Sequence, residues 1–257
     1  MNKDFITKYK IAHRGGFYDN IKIPENSLSA FEIAASKGYA IELDVQLLAG
    51  GGVAVFHHPT LDMERLLNKK GEDLRIFTAE QLKDCKLIGS GEPVPTLEQV
   101  LTLINKRVPI FIEIKTKGSP VKLCEQVYNA VKNYDGDFIV MSFDYKVLKW
   151  FYRHAPQIIR GILVSPWPKS DIYRPKSSVV RFATRNMWFV KAYKPDFISY
   201  NSEFLPSKVV NKKYPGLPLV CWTIRTPEQF KQIAPYVNNI TFEHFIPDPK
   251  IKMGDKR

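Results

Sequence analysis

Six residues, Ile41-Glu42-Leu43-Asp44-Val45-Gln46, constrain this chain more than any other stretch. Successive side chains on a strand point to opposite faces, so Glu42, Asp44 and Gln46 share one side while Leu43, Val45 and Leu47 take the other. Apolar residues at every second position fit a strand buried on both faces, as in a parallel sheet. Two carboxylates turned together into a mostly apolar place repel one another and are costly to desolvate, and a bound cation is the common relief. Gly50, Gly51 and Gly52 let the chain double back, and the returning segment carries His57 towards the mouth of the acidic strand. His57 and His58 face opposite ways, so at most one of them joins the carboxylates easily.

The length of 257 residues suits one α/β barrel or two small domains. No apolar run is long enough to cross a bilayer, and Met1-Asn2-Lys3-Asp4-Phe5 has none of the features of a signal peptide. Cys85, Cys124 and Cys221 lie far apart without a Cys-x-x-Cys pair, which reads as reduced thiols in a cytoplasmic protein. The net charge of +12 favours anionic partners such as phosphate esters and acidic lipid surfaces. Its basic residues are scattered, with neither a long basic run nor an RNA-binding aromatic signature, so nucleic-acid recognition is not expected. Oligomeric state is not readable from this pattern.

Lys10–Arg14 reads as a first strand opening into a loop at Gly15-Gly16, and Leu28, Phe31, Ala34 and Ala35 follow at helical spacing. Asn26 or Ser27 is placed to cap that helix. Residues 59–95 are polar and glycine-interrupted, with only Ala79–Lys83 briefly helical, and are expected to form a small insertion. Beyond them, strands centred near residues 112, 140, 161, 199, 221 and 240 alternate with helical patterns at Val121–Tyr134, Tyr145–His154, Asn186–Ala192 and Pro227–Ala234. With the strands near 12 and 43 this gives eight, which predicts a (β/α)8 TIM barrel as a single domain over 1–257. An open doubly wound sheet is the alternative. No Gly-x-Gly-x-x-Gly or Walker loop supports a nucleotide fold.

The C-terminal strand ends of such a barrel carry the active site. Gathered there are His13 and Arg14, Glu42 and Asp44, Glu113 and Lys115, with His57 on the hairpin. Three hard oxygen donors from adjacent strands suit one divalent cation, Mg2+ or Ca2+, better than zinc. Two histidines beside it suggest one to remove a proton and one to donate it. Arg14 and Lys115 would offset anionic substrate charge. The set as a whole suits phosphodiester cleavage. Taken alone, Glu42 or Glu113 also reads as half of a buried ion pair with Lys115, and Trp222 as barrel core or as a pocket wall. His58, His154 and His244 are read as structural or exposed.

The ordered set His13-Arg14, Glu42-x-Asp44 and His57 resembles the signature of the glycerophosphodiester phosphodiesterase family. Pro24-Glu25-Asn26-Ser27, Pro95-Thr96-Leu97, Glu113-Ile114-Lys115, Ser142-Phe143-Asp144 and Cys221-Trp222-Thr223 support it across nearly the whole chain. The resemblance implies a TIM barrel with a small insertion after the second strand, and hydrolysis of glycerophosphodiesters to glycerol 3-phosphate and an alcohol. It implies His13 and His57 as the acid–base pair and Glu42, Asp44 and Glu113 as metal ligands. Arg14 and Lys115 would contact phosphate, and Trp222 would line the glycerol side. His58, Arg225 and Glu243 stand where the family more often has other residues, which bears on substrate preference and metal choice. Two further readings stand beside this one. A lysophospholipase D-like enzyme would act on lysolipids at anionic membranes, with Trp167, Tyr173, Trp188 and Phe189 as rim candidates. A non-catalytic phosphodiester-binding barrel is disfavoured by the intact acid–base and metal sets.

Overall fold

The computed structural model describes residues 3–116, 119–166, 177–188 and 190–254. Nine strands form one sheet: β1 (Ile11–His13), β2 (Ala40–Leu47), β3 (Val53–Val55), β4 (Ile110–Ile114), β5 (Phe138–Ser142), β6 (Arg160–Val164), β7 (Phe197–Asn201), β8 (Leu219–Ile224) and β9 (Asn239–Phe242). Eight of them pair in parallel in the order β1-β9-β8-β7-β6-β5-β4-β2, and β1 also pairs with β2, so the sheet closes into a barrel. The antiparallel β3 hangs on the outer part of β2 as the hairpin that the three glycines predict. The open-sheet alternative is thereby excluded.

Helices α1 (Phe5–Lys8), α2 (Leu28–Ser36), α3 (Leu61–Leu67), α4 (Leu97–Ile104), α5 (Pro120–Val131), α6 (Tyr145–His154), α7 (Ser178–Arg185), α8 (Lys208–Lys213) and α9 (Pro227–Ile233) complete the described elements, with short 3-10 turns between them. Ser27 caps α2 by accepting from the Ala30 amide, which leaves Asn26 for another task. Thr96 opens α4 in a capping box with Gln99.

The pleat of β2 and β4 sorts their residues into two environments. Ile41, Leu43, Val45, Ile110, Ile112 and Ile114 pack outward against the helices. Ala40 and Phe111 point inward and join Phe197, Met141 and Val220 in the lower barrel, where Phe5 and Ile6 of α1 close the bottom. Burying each such side chain fully contributes about 1.5–3 kcal/mol. Room for the Phe197 ring comes from Gly161, where a β-carbon would lie 2.2 Å from the ring. Apolar filling below therefore leaves the next inward layer, towards the C-terminal strand ends, to polar residues.

The segment after β3 has its own apolar cluster, with Phe56, Met63, Leu66, Leu74, Leu82 and Val94 joined by Leu48 from before β3. It contains α3, a helix not foreseen because only Ala79–Lys83 carried a short helical pattern; that stretch forms a 3-10 turn at Gln81–Asp84 instead. The helix expected at Asn186–Ala192 lies earlier, at Ser178–Arg185, with a 3-10 turn at Val190–Tyr193. Met187 has φ of 54°, which an α-helix cannot run through. Among the described residues no helix is long and apolar enough to cross a membrane.

Candidate active site

Strand register assembles the site. His13 pairs with Glu42 across β1 and β2, and Asp44 pairs with Glu113 across β2 and β4. Because all three strands run parallel, their inward side chains meet at one end of the barrel. After β1 the chain turns sharply: Arg14 has φ of 51° and Gly15 of 96°. A β-carbon on Gly15 would lie 2.6 Å from that of Ala30, so glycine lets this loop press onto α2.

Glu42, Asp44 and Glu113 are buried, and one oxygen from each lies within 4.8 Å of the others. Burial, together with the charges of Asp44 and Glu113, pushes Glu42 well above the usual carboxylate range. Burial also raises Glu113, against the opposing pull of Lys115. Asp44 behaves oppositely: burial is outweighed by Lys115 and Arg14, which hold it well below the usual range. Lys115 Nζ lies 2.5 Å from Glu113 and 3.0 Å from Asp44. Arg14 lies 3.0 Å from Asp44 through Nε and 2.7 Å from Glu25 through Nη1, and its backbone N–H donates to Glu42. The Asp44 contacts of Arg14 Nε and Lys115 lack hydrogen-bond geometry, so among the described residues Arg14 Nε and Asp44 Oδ1 have no hydrogen-bond partner. A trio of close carboxylates with one unsatisfied oxygen is a donor set that fits a hard divalent cation. The ion-pair reading holds for Glu113, whose partner Lys115 also reaches Asp44, whereas Glu42 accepts the Arg14 backbone N–H.

Each histidine is held from behind by an acid. His13 Nδ1 is hydrogen-bonded to Glu243, and its Nε2 lies 3.9 Å from Glu42. Desolvation, with the nearby charge of Arg14, lowers the His13 pKa, against the pull of Glu243. Glu243 also accepts from Tyr18 Oη at 2.5 Å and from Arg225 Nε at 2.6 Å. Burial would raise its pKa, but the His13 hydrogen bond and charge, Tyr18 and Arg225 hold it well below the carboxylate range. His57 Nδ1 lies 3.2 Å from Asp62, whose other oxygen receives Arg65 at 2.9 Å. Against burial, His57 and Arg65 bring the Asp62 pKa down to about 2. Arg65 also reaches Glu25 at 3.0 Å.

All eight sequence-chosen residues except Asp44 line one cavity of about 290 Å³, and Asp44 lies directly behind it among the other acids. Trp222 lines the cavity, edge to face on Phe143 with ring centres 5.6 Å apart, and also packs on the lower-barrel cluster. His58 does not border this cavity, and its Nδ1 accepts the Leu61 amide at the start of α3. Trp188 is exposed and packs on Phe182, while Trp167, Tyr173 and Phe189 lie outside the described residues. Sequence reasoning missed Tyr18, Glu25, Asp62 and Arg65 as supports, and noted Glu243 and Arg225 only as departures. Asn26 was considered as a cap, but it donates to Asp44 at 3.0 Å.

A closed barrel with buried acids and two acid-backed histidines at its C-terminal end is an arrangement suited to acid–base and cation-assisted chemistry on an anionic ester. Residues 13–241 match the model of the glycerophosphoryl diester phosphodiesterase family. A glycerophosphodiester phosphodiesterase of Caldanaerobacter subterraneus subsp. tengcongensis is 30% identical over 240 residues, covering 87% of this chain and 88% of the relative. Among solved structures, a phosphodiesterase from Oleispira antarctica in complex with the product sn-glycerol-3-phosphate superposes with a TM-score of 0.75 at 21% identity, over 91% of this chain and 92% of that one. A glycerophosphodiester phosphodiesterase from Parabacteroides distasonis gives 0.70 at 25% identity, with coverage of 91% and 92%. The chain belongs to the glycerophosphoryl diester phosphodiesterase family.

Proposed function

We propose that this chain hydrolyses glycerophosphodiesters to glycerol 3-phosphate and an alcohol, with one divalent cation held by Glu42, Asp44 and Glu113. The observation that carries the reading is the meeting of these three buried acids with His13 and His57 around one cavity. Oxygen donors alone favour Mg2+ or Ca2+ over softer ions. When bound, the cation supplies Lewis-acid polarisation of a phosphoryl oxygen and neutralises charge.

The remaining work falls to the chain. With Nδ1 engaged by Glu243, His13 presents Nε2 as base to the nucleophile, either water or the neighbouring glycerol hydroxyl. His57, oriented by Asp62, gives its proton to the departing alkoxide. Lys115, whose side chain is partly exposed, contacts the phosphate, and Arg14 fixes the acids while adding positive charge. Trp222 and Phe143 offer apolar surface to the glycerol carbons. Three buried free cysteines fit a reducing, cytoplasmic setting.

The test is release of glycerol 3-phosphate from a panel of glycerophosphodiesters with Mg2+, Ca2+ or chelator. Metal-dependent release supports the reading, and no release with either ion removes it. Lysolipids belong in the same panel, because the exposed Phe182–Trp188 pair and the basic charge favour attraction to anionic membranes.

A further inference from the structure

A second chamber of about 210 Å³ shares His57, Glu113, Lys115 and Phe143 with the catalytic cavity. Gln46, His58, Thr116 and Ser142 complete much of its wall, whereas His13, Glu42 and Trp222 border only the first cavity. We propose that this chamber is the subsite for the departing alcohol and that it selects small hydroxylated alcohols over quaternary ammonium ones. The assignment rests on the phosphodiesterase reading above and adds its substrate class.

Position carries the first part. In the cleavage step the nucleophile's oxygen bonds to phosphorus as His13 takes its proton, the bond from phosphorus to the alcohol oxygen breaks with its electron pair on that oxygen, and a proton from His57 makes the neutral alcohol. The departing group must therefore lie against His57 on the side away from the nucleophile and its base. Of the two histidines, His57 alone borders both chambers.

Chemistry carries the second. Gln46 is buried, with 1% of its surface exposed, and its Nε2 donates to the His57 carbonyl at 2.8 Å. Its Oε1 has no hydrogen-bond donor among the described residues. A buried acceptor of this kind is completed by a ligand hydroxyl, and a site built for such a bond rejects an analogue that lacks it. The other groups are less available: the Ser142 hydroxyl donates to the Ile114 carbonyl and accepts the Asp144 amide. Glu113 is paired with Lys115. A permanent cation would thus meet Lys115 without a free counter-charge, and Phe143 is a single ring rather than an aromatic cage.

The experiment measures kcat/KM for the glycerol, choline and methyl esters of glycerol 3-phosphate. In the wild type the glycerol ester should exceed the choline ester by about tenfold or more. Gln46→Met should lower the ratio of glycerol-ester to methyl-ester kcat/KM by about tenfold. Thr116→Tyr, which fills the chamber from a half-exposed position, should lower the same ratio and covers the case in which the Gln46 variant does not fold. Equal turnover of the choline and glycerol esters, or equal losses on all three esters in both variants, overturns the subsite while leaving the activity intact. Absence of glycerol 3-phosphate from every ester overturns the activity itself, and the subsite with it.

Discussion

His13 and Glu243, at the ends of two neighbouring strands, are joined by a hydrogen bond from ring Nδ1 to carboxylate. The contact fixes the imidazole with Nε2 turned towards Glu42, the nitrogen that a base at this site must use. Glu243→Gln can offer its amide N–H to Nδ1 and so favour the wrong tautomer. Turnover should drop by about 10²-fold or more with KM little changed. Glu243→Asp should recover part of the loss. Steady-state kinetics on a glycerophosphodiester check both, and an unaltered kcat in Glu243→Gln would detach Glu243 from His13's role.

Replacing His13 or His57 by Ala should lower kcat by about 10²–10⁴-fold. His58→Ala should be much milder for catalysis and cost about 1 kcal/mol of stability, because it removes an acceptor at the start of α3. Near-wild-type kcat in either of the first two variants would take that residue out of the mechanism.

Glu42 ties stability to function in opposite directions. Its pKa is raised in the folded state, so the ionised form is disfavoured by folding, and this cost is present at neutral pH and vanishes as pH falls below the ordinary glutamate value. In chelator, Glu42→Gln should therefore raise stability by about 0.5–2 kcal/mol while turnover collapses. Added Mg2+ or Ca2+ should stabilise the wild type by about 2.7 kcal/mol at a hundred times Kd and the variant much less. Thermal unfolding with and without ion reads both effects.

Asp62 titrates with the opposite sign. Its folded pKa of about 2 lies below the unfolded value, so its contribution is complete above about pH 4 and is lost as pH falls through about 2. Asp62→Asn should cost about 1–2 kcal/mol at pH 6 and almost nothing near pH 2, in denaturant melts at the two pH values. A constant difference across that range would assign the loss to packing instead.

In the lower barrel, Phe197→Ala should cost about 3–5 kcal/mol. Gly161→Ala should cost about 1–3 kcal/mol, because its new methyl group meets the same ring. Urea melts of the single variants test the first two values. The double variant should lose less than their sum, since the ring that clashes is gone.

Much of the barrel is legible in the chain because its strands are short, apolar and closely spaced, with polar exceptions confined to their ends. Glu42, Asp44 and Glu113 announce themselves by interrupting such runs in step with the pleat. Asp62 and Arg65 do not, since they sit on a short helix in a polar segment where no period distinguishes them. Tyr18 meets Glu243 across 225 positions, a contact fixed only when β1 and β9 become neighbours. The helix at Ser178–Arg185 has well-separated apolar and polar faces, a helical signal that the placement at Asn186–Ala192 passed over.

The most direct test of the account is a crystal soaked in calcium. One ion should appear with an oxygen of each of Glu42, Asp44 and Glu113 about 2.3–2.6 Å away, and with Lys115 drawn off Glu113 towards the phosphate position. A soaked crystal with no ion at these acids, still neutralised by Lys115 and Arg14 alone, would contradict it.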